Sequence, residues 1–257
     1  MASIKKNKEY CFVTLFDRFI SDSEKGRRLQ PNGKRISLAT IINYHNTKKV
    51  LARFCSKASI ILRIKQERYL NQREMEREKN YWKKFHIGFT DYLYGCGYFD
   101  NYIGQNIKNI KVFFNYLNKD LALGVGQFHK QFYTRKEEIA IYPLMPEELN
   151  YLIYDKAFEQ TLTPRLREVK DFFVFGCTVA LRFSDLKELK KNNVRINNGQ
   201  YYLSVRSIKT SSDSLIKLPT YAIGILDRYK RNNKTLLPHF NMSKAINTLK
   251  SYWSLPA

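Results

Sequence analysis

Cysteine and long apolar runs are both scarce in this 257-residue chain, and each scarcity excludes a class of protein. The four cysteines stand tens of residues apart, which fits neither a zinc site nor the dense disulfide framework of a small secreted domain. No uninterrupted apolar run reaches the roughly 18 residues that a membrane-spanning helix needs. The basic N-terminus lacks the apolar core and the cleavage site of a signal peptide. These absences predict a reduced, cytoplasmic protein without membrane association.

Positive charge is what the chain has in excess. Lys and Arg number 45 against 23 Asp and Glu, which gives a net charge of +22 and a pI near 9.8. Hydrophobic residues make up 44% of the chain, enough to build cores, so wholesale disorder is excluded. A pI above 9 is typical of nucleic-acid-binding domains. Two alternatives remain, a nucleic-acid-binding protein and a merely basic soluble protein, and the charge favours the first.

Helical periodicity dominates the first 120 residues, which we predict to form a helical domain over residues 1–125. Apolar stripes at helical spacing begin at Thr40, Trp82 and Ile103. Residues 61–80 alternate in charge and predict a solvated helix or an ordered connector; the carboxylates at 74, 76 and 78 fall on different helix faces and predict no metal site. Cations flank the first and third stripes, and they are either DNA contacts or solvated helix surface: Lys48, Lys49, Arg53, Lys108 and Lys111.

The pattern changes after a linker predicted at residues 126–145. Pro-Glu-Glu begins a helix at residue 146, and further helices are expected over 164–179 and 183–190. The period then falls from 3.6 to 2 over 201–209 and 215–218, which predicts a β-hairpin around a serine-rich turn. Helices are expected again from residue 219 and from about residue 243. Residues 146–257 therefore predict a mixed α and β domain.

One short motif in this second domain has chemical interest. The sequence Ala-Leu-Arg-Phe-Ser-Asp occupies residues 180–185, and Lys209-Thr210 falls at the predicted hairpin. Taken alone, Arg182 and Asp185 predict a surface ion pair at i, i+3, and Lys209 predicts a solvated charge at a strand end. The order of the features, however, resembles the tyrosine recombinases, or phage integrases, over roughly residues 9–250. The nearest resemblance is to mobile-element integrases with a SAM-like core-binding domain.

The resemblance implies a mostly α fold, with a helical SAM-like core-binding domain followed by part of an α+β catalytic domain that contains a small antiparallel hairpin. It implies site-specific recombination of double-stranded DNA through a 3′-phosphotyrosine, with self-association into a tetrameric synapse and with neither metal nor cofactor. Arg182 matches the first catalytic arginine, whose planar fork can neutralise a phosphodiester. Lys209 matches the general acid of the hairpin. Asp185 would orient the arginine. We therefore expect Arg182 and Lys209 to border one basic cleft.

The chain departs from this family pattern in its last fifty residues. The family also requires a His-x-x-Arg pair and a later tyrosine nucleophile, and none of the four histidines is followed by Arg three residues on. Tyr221, Tyr229 and Tyr252 come too early to match the nucleophile. We therefore expect a truncated recombinase that binds DNA and is inactive alone. The alternative is a non-catalytic protein that occupies recombination sites and regulates a complete integrase; an RNA-binding protein is disfavoured because no RNA-binding signature appears.

Overall fold

A computed structural model describes residues 9–207, 212–230 and 235–238, and the chain divides into two units, Met1–Ala140 and Ile141–Ala257. The described residues form nine α-helices and two small antiparallel sheets, so the mostly α fold class predicted from the sequence is confirmed. No helix in these ranges is both long enough and apolar enough to cross a membrane. Lys209, Tyr252 and the helix expected from about residue 243 lie outside the described residues.

The first unit contains four α-helices and one two-stranded sheet. In chain order these are β1 Glu9–Cys11, α1 Phe12–Glu24, α2 Leu38–Ala58, β2 Arg63–Lys65, α3 Gln72–Gly95 and α4 Asp100–Lys119. The pair β1–β2 joins residues 9–11 to part of the segment over 61–80, where a solvated helix or an ordered connector is expected. Strands of three residues are too short to show a period of 2, so only their pairing identifies them.

Aromatic rings fill the core of the first unit. Phe113 on α4 lies with its ring centroid 4.9 Å from Phe12 and Phe16 of α1 and 5.7 Å from Phe19. Trp82 on α3 is 1% exposed and meets the Phe114 ring edge to face at 4.9 Å. Such ring pairs contribute about 0.5–1.5 kcal/mol each beyond their buried area. The helical stripes of the sequence therefore meet in one core.

Residues 128–137, which we call the strap, belong to the first unit. Phe128 and Phe132 are buried in the aromatic core, and the Lys111 Nζ on α4 donates to the Phe132 carbonyl at 3.1 Å. The linker was expected to begin at residue 126, but these two phenylalanines pack into the first core. From residue 135 to residue 148 every side chain is exposed.

Gly104 allows the strap to approach α4 closely. A Cβ at this position would lie 2.1 Å from the Arg135 carbonyl oxygen, a distance that no real Cβ tolerates. Further along, the Glu137 amide donates to the Asn101 Oδ1 at 3.2 Å. The strap therefore lies along α4 at backbone contact distance, and only glycine fits beneath it.

The second unit combines helices with a three-stranded sheet. Its elements are α5 Pro146–Tyr154, α6 Lys156–Thr161, α7 Pro164–Val179, α8 Phe183–Lys187, β3 Val194–Asn197, β4 Gln200–Arg206, β5 Asp213–Lys217 and α9 Thr220–Arg228. The strand order is β3-β4-β5, and all pairings are antiparallel. The hairpin β4–β5 occupies the region in which the sequence predicts one. The third strand, β3, was not predicted, although Asn198-Gly199 with positive φ is the turn signal that precedes β4.

Candidate functional site

The turn between α7 and α8 presents Arg182. α7 ends at Val179, and Ala180 adopts the left-handed conformation with φ of 51°, its amide donating to the Gly176 carbonyl at 2.9 Å. This residue reverses the chain, so that Arg182 occupies the position before the first residue of α8 and is exposed. An apolar helix thus anchors the backbone while the guanidinium reaches the surface.

A serine connects Arg182 to Asp185. The Arg182 Nη1 donates to the Ser207 Oγ at 2.9 Å, and the Ser207 hydroxyl donates to the Asp185 Oδ2 at 3.2 Å. Asp185 is 4% exposed, whereas Arg182 is exposed. Hydrogen bonds to a buried carboxylate are among the stronger ones in proteins. These two linked hydrogen bonds therefore fix the arginine more firmly than a bare surface ion pair would.

Ser207 follows the last residue of β4, at the base of the predicted lysine hairpin. Its amide donates to the Ser212 carbonyl at 2.9 Å, just after the closing pair Arg206 and Asp213. Lys209 lies outside the described residues, two positions after Ser207 in the sequence. The structure therefore brings Arg182 to the strand that leads to Lys209, while a cleft shared by the two side chains stays a prediction.

Two of the three tyrosines considered as nucleophiles are held by other side chains. The Tyr229 hydroxyl donates to the Asp171 Oδ2 at 2.9 Å, and Asp171 is 1% exposed and bonded by both oxygens to Arg228. Burial, together with the neighbouring Asp171 carboxylate, raises the pKa of Tyr229 well above its ordinary value. The Tyr221 hydroxyl lies 3.1 Å from the Thr178 Oγ1. Both hydroxyls are thus engaged by side chains within the second unit.

Two of the five cations suggested for DNA contact have partners within the first unit. Lys48 forms an ion pair with Asp17 on α1, and Lys111 donates to the strap carbonyl of Phe132. Lys111 is only partly exposed, and it lies near two histidines, His86 and His129, whose pKa values it helps to lower after burial. Its observed contacts are those of a residue that holds the strap.

The other three cations are exposed on α2 and α4. Among the described residues, Lys49, Arg53 and Lys108 form no ion pair. Their two helices are joined by a buried bond in which the Asn109 Nδ2 donates to the Thr47 Oγ1 at 2.9 Å. Asn109 is adjacent to Lys108, and Thr47 lies two residues before Lys49, so this bond holds together the two helices that display the exposed cations.

Sequence reasoning missed Ser207 and the Asp171 network. A serine before a hairpin carries no signal of its own, since its role depends on the α7–α8 turn lying beside the strand. Arg228 and Asp171 are 57 residues apart, and only the packing of α9 against α7 brings them together. No group of His, Cys, Asp or Glu within the described ranges could hold a metal ion.

Comparison with known proteins rests on structure alone, because no protein-family model and no curated protein matches this sequence. The chain superimposes with a TM-score of 0.64 on a lambda integrase dimer bound to a COC' core site, at 15% identity, covering 99% of this chain and 67% of that one. A lambda integrase(75–356) dimer bound to the same site gives 0.62 at 16% identity, with 96% and 83% covered. XerH site-specific recombinase bound to difH gives 0.56 at 14% identity, with 95% and 79% covered.

These neighbours define the class of fold. The chain has the fold of the tyrosine recombinases and integrases, and the likeness spans nearly its whole length. The resemblance noted from the Arg182 and Lys209 motifs is thereby confirmed at the level of the fold.

Proposed function

We propose that this chain is a DNA-binding part of a site-specific recombinase of the tyrosine class. The observation that carries the proposal is the set of hydrogen bonds from Arg182 through Ser207 to Asp185, at the base of the β4–β5 hairpin, between whose strands Lys209 lies in the sequence. A fold alone does not specify function, so the site must agree with it. Here the tyrosine-recombinase fold and the exposed arginine at this turn together support a phosphate-binding role.

In the proposed site, Arg182 neutralises the non-bridging oxygens of a phosphodiester. Its guanidinium offers five N–H donors in a planar fork, and one of them is used by Ser207. Lys209 protonates the leaving 5′-oxygen, and Asp185 orients the arginine through Ser207. This division of labour requires no metal, since fixed cations balance the developing charge.

The first unit supplies the proposed duplex-binding surface. Residues 1–140 contain 27 basic and 13 acidic side chains. Lys49, Arg53 and Lys108 carry the proposal, because they are exposed and unpaired within the described part of the chain. We assign Lys48 and Lys111 a secondary role, since each already has a partner. Association of several copies on DNA, as a tetrameric synapse, belongs to the same proposal.

A salt titration of duplex affinity tests this surface. For about six phosphates neutralised, log K should fall against log[salt] with a slope near −5, from about −0.9 per phosphate. Replacing Lys49, Arg53 and Lys108 by Glu should make the slope less negative and weaken binding to unrelated sequences alike. The matched control replaces three other exposed lysines, Lys83, Lys84 and Lys119, with the same change of charge. Equal effects of the two triple variants would contradict the assigned surface.

A second candidate function is favoured by the two bonded tyrosines. Because Tyr221 and Tyr229 are engaged elsewhere, these 257 residues would bind DNA and leave it uncut, and they would compete with a complete recombinase for its sites. Removing members of a catalytic unit is non-additive, so a site without a nucleophile should show background rate only.

Nicked suicide duplexes test the second candidate. The duplexes are selected from a random library by binding to the chain, then incubated with it and resolved on a denaturing gel. We expect no covalent protein–DNA band. A band that disappears in a Tyr252→Phe variant would show a nucleophile within this chain and overturn the second candidate.

A further inference from the structure

We propose that Ser207 is a positioning residue that keeps Arg182 from pairing directly with Asp185, and so keeps the guanidinium available to a DNA phosphate. The proposal rests on the proposed function and names a residue that the recombinase motif does not contain. It is based on one hydroxyl group that accepts one hydrogen bond and donates another. The Ser207 Oγ accepts from the Arg182 Nη1 at 2.9 Å and donates to the Asp185 Oδ2 at 3.2 Å.

Charge explains why a spacer is needed. Asp185 is buried in the second unit, and Arg182 precedes it by three residues on the same turn, a spacing at which side chains meet. An arginine beside a carboxylate tends to form two parallel hydrogen bonds, which would occupy both ends of its fork. With the serine hydroxyl between them, the carboxylate orients the guanidinium through one N–H. The remaining donors stay open to a phosphate.

The hairpin determines where that hydroxyl stands. Strands β4 and β5 pair up to Arg206 and Asp213, and the next bond runs from the Ser207 amide to the Ser212 carbonyl at 2.9 Å. The backbone position of Ser207 is therefore set by the register of the sheet. The same short segment continues to Lys209 in the sequence. Ser207 thus couples the placement of the arginine to that of the hairpin.

The alternative is a merely structural hydroxyl that supports the sheet. A structural role would change stability and would weaken DNA binding, if at all, independently of Arg182. The spacer role predicts a different result: removing the Ser207 hydroxyl should allow Arg182 to pair directly with the Asp185 carboxylate. Removing the charge of that carboxylate should then undo the effect.

The test measures the salt dependence of duplex binding by fluorescence anisotropy, using the 257-residue chain. Arg182→Ala should make the slope of log K against log[salt] less negative by about 0.9, the equivalent of one phosphate contact. Ser207→Ala should produce the same shift, because the arginine then turns to Asp185. Ser207→Thr retains the hydroxyl and should bind like the unmodified chain. Ser204→Ala, on the same strand, is the matched control and should leave the slope unchanged.

The decisive variant combines Ser207→Ala with Asp185→Asn, which should restore the original slope because a neutral amide no longer captures the guanidinium. Absence of restoration in a folded double variant, judged by its thermal midpoint, would overturn the proposal. Should Asp185→Asn unfold the chain, Ser207→Ala in an Arg182→Ala background decides: no further change in slope supports the spacer, and a further loss overturns it. Failure of the unmodified chain to bind duplex would instead refute the proposed function.

Discussion

At the scale of single residues, the buried Asp171 carboxylate shows how side chains far apart in sequence stabilise the second unit. It accepts two bonds from Arg228 and one from Tyr229, and Lys170 lies 3.4 Å away. A carboxylate that is 1% exposed would be costly without such partners. The C-terminal end of α9 is thereby tied to α7.

Tyr229→Phe should therefore lower the free energy of unfolding by about 1.5–3 kcal/mol, the usual range for a hydrogen bond to a charged group. Tyr221→Phe is the matched control and should cost about 1 kcal/mol or less, because its hydroxyl meets only the neutral Thr178 hydroxyl. Urea titration with a common slope measures both. A larger loss in the Tyr221 variant would contradict this ranking of the two bonds.

His129 is the residue whose titration should matter most for the first unit. It is 3% exposed, its Nε2 lies 2.9 Å from the Asn115 Oδ1, and its Nδ1 has no partner within the described structure. Burial, with nearby Lys111 and Lys130, lowers its pKa from 6.5 to about 4. Between these values the unfolded chain binds more protons than the folded chain does.

Stability of the first unit should consequently be full above pH 6.5, fall as the pH drops towards 4, and level off below it. The total contribution of His129 is roughly 3 kcal/mol at most. Thermal unfolding at pH 7, 5.5 and 4 measures the fall, and His129→Gln should flatten most of it. The remainder belongs to His86, whose pKa is also lowered by burial. An identical fall in the variant would show that other groups are responsible.

At the scale of elements, the α7–α8 turn depends on one strained residue. Ala180 has a φ of 51°, a conformation in which a side chain is disfavoured and glycine is not. Ala180→Gly should therefore raise the free energy of unfolding by about 0.5–1 kcal/mol, the relief of strain exceeding the added freedom of the unfolded chain. Chemical denaturation measures the change. A loss of stability would mean that the turn tolerates Ala180 without strain.

Gly104 is the corresponding test for the strap. Gly104→Ala places a methyl group where the Arg135 carbonyl lies, so the strap must lift from α4. Overpacking of this kind costs about 1–3 kcal/mol, although alanine is the better helix former. Gly95→Ala at the end of α3 is the control, because nothing lies within 4 Å of its added Cβ. Hydrogen exchange should accelerate at residues 132–137 in the first variant alone; unchanged exchange there would contradict the docking.

Helices with a strong apolar stripe were predictable from sequence, and short strands were not. The stripe through Tyr44, Leu51 and Phe54 gives α2, and the Ser37 hydroxyl caps it by accepting from the Thr40 amide. By contrast, β1, β2 and β3 have three or four residues each, so their identity depends on pairing partners elsewhere in the chain. Most of the strap falls within the predicted linker, because glycines and polar residues surround its two buried phenylalanines.

At the scale of the whole molecule, the two cores predict how the chain is cut. All side chains from residue 135 to residue 148 are exposed, and Ile139 is 69% exposed. Brief treatment with a glutamate-specific protease should therefore cleave after Glu138 and yield two protease-resistant fragments, identified by mass spectrometry. Glu138→Gln should suppress that cut. First cleavage within α3 or α4 would contradict the division near residue 140.

Only part of the candidate site could be predicted from the sequence. Arg182 and Asp185 followed from a local motif, because adjacent residues on one turn share a surface whatever the rest of the chain does. Ser207 could not be found in this way, since its role requires two segments 25 residues apart to meet. The sequence also does not show which basic side chains already have a partner within the protein. Lys48 forms an ion pair with Asp17, and Lys111 donates to the strap, and neither contact could be predicted.

The aromatic core also makes the first unit optically distinct. The chain has only two tryptophans, and Trp82 is enclosed by the rings of Tyr81, Phe85 and Phe114 at 4.9–5.4 Å. In a Trp253→Phe variant, indole emission would come from Trp82 alone. A buried indole fluoresces at shorter wavelength than a hydrated one, so a red shift would report the opening of that core and nothing else. The first unit thus contains its own spectroscopic label. When indole is excited selectively, the folding of this unit can be followed without emission from the second unit or from bound DNA.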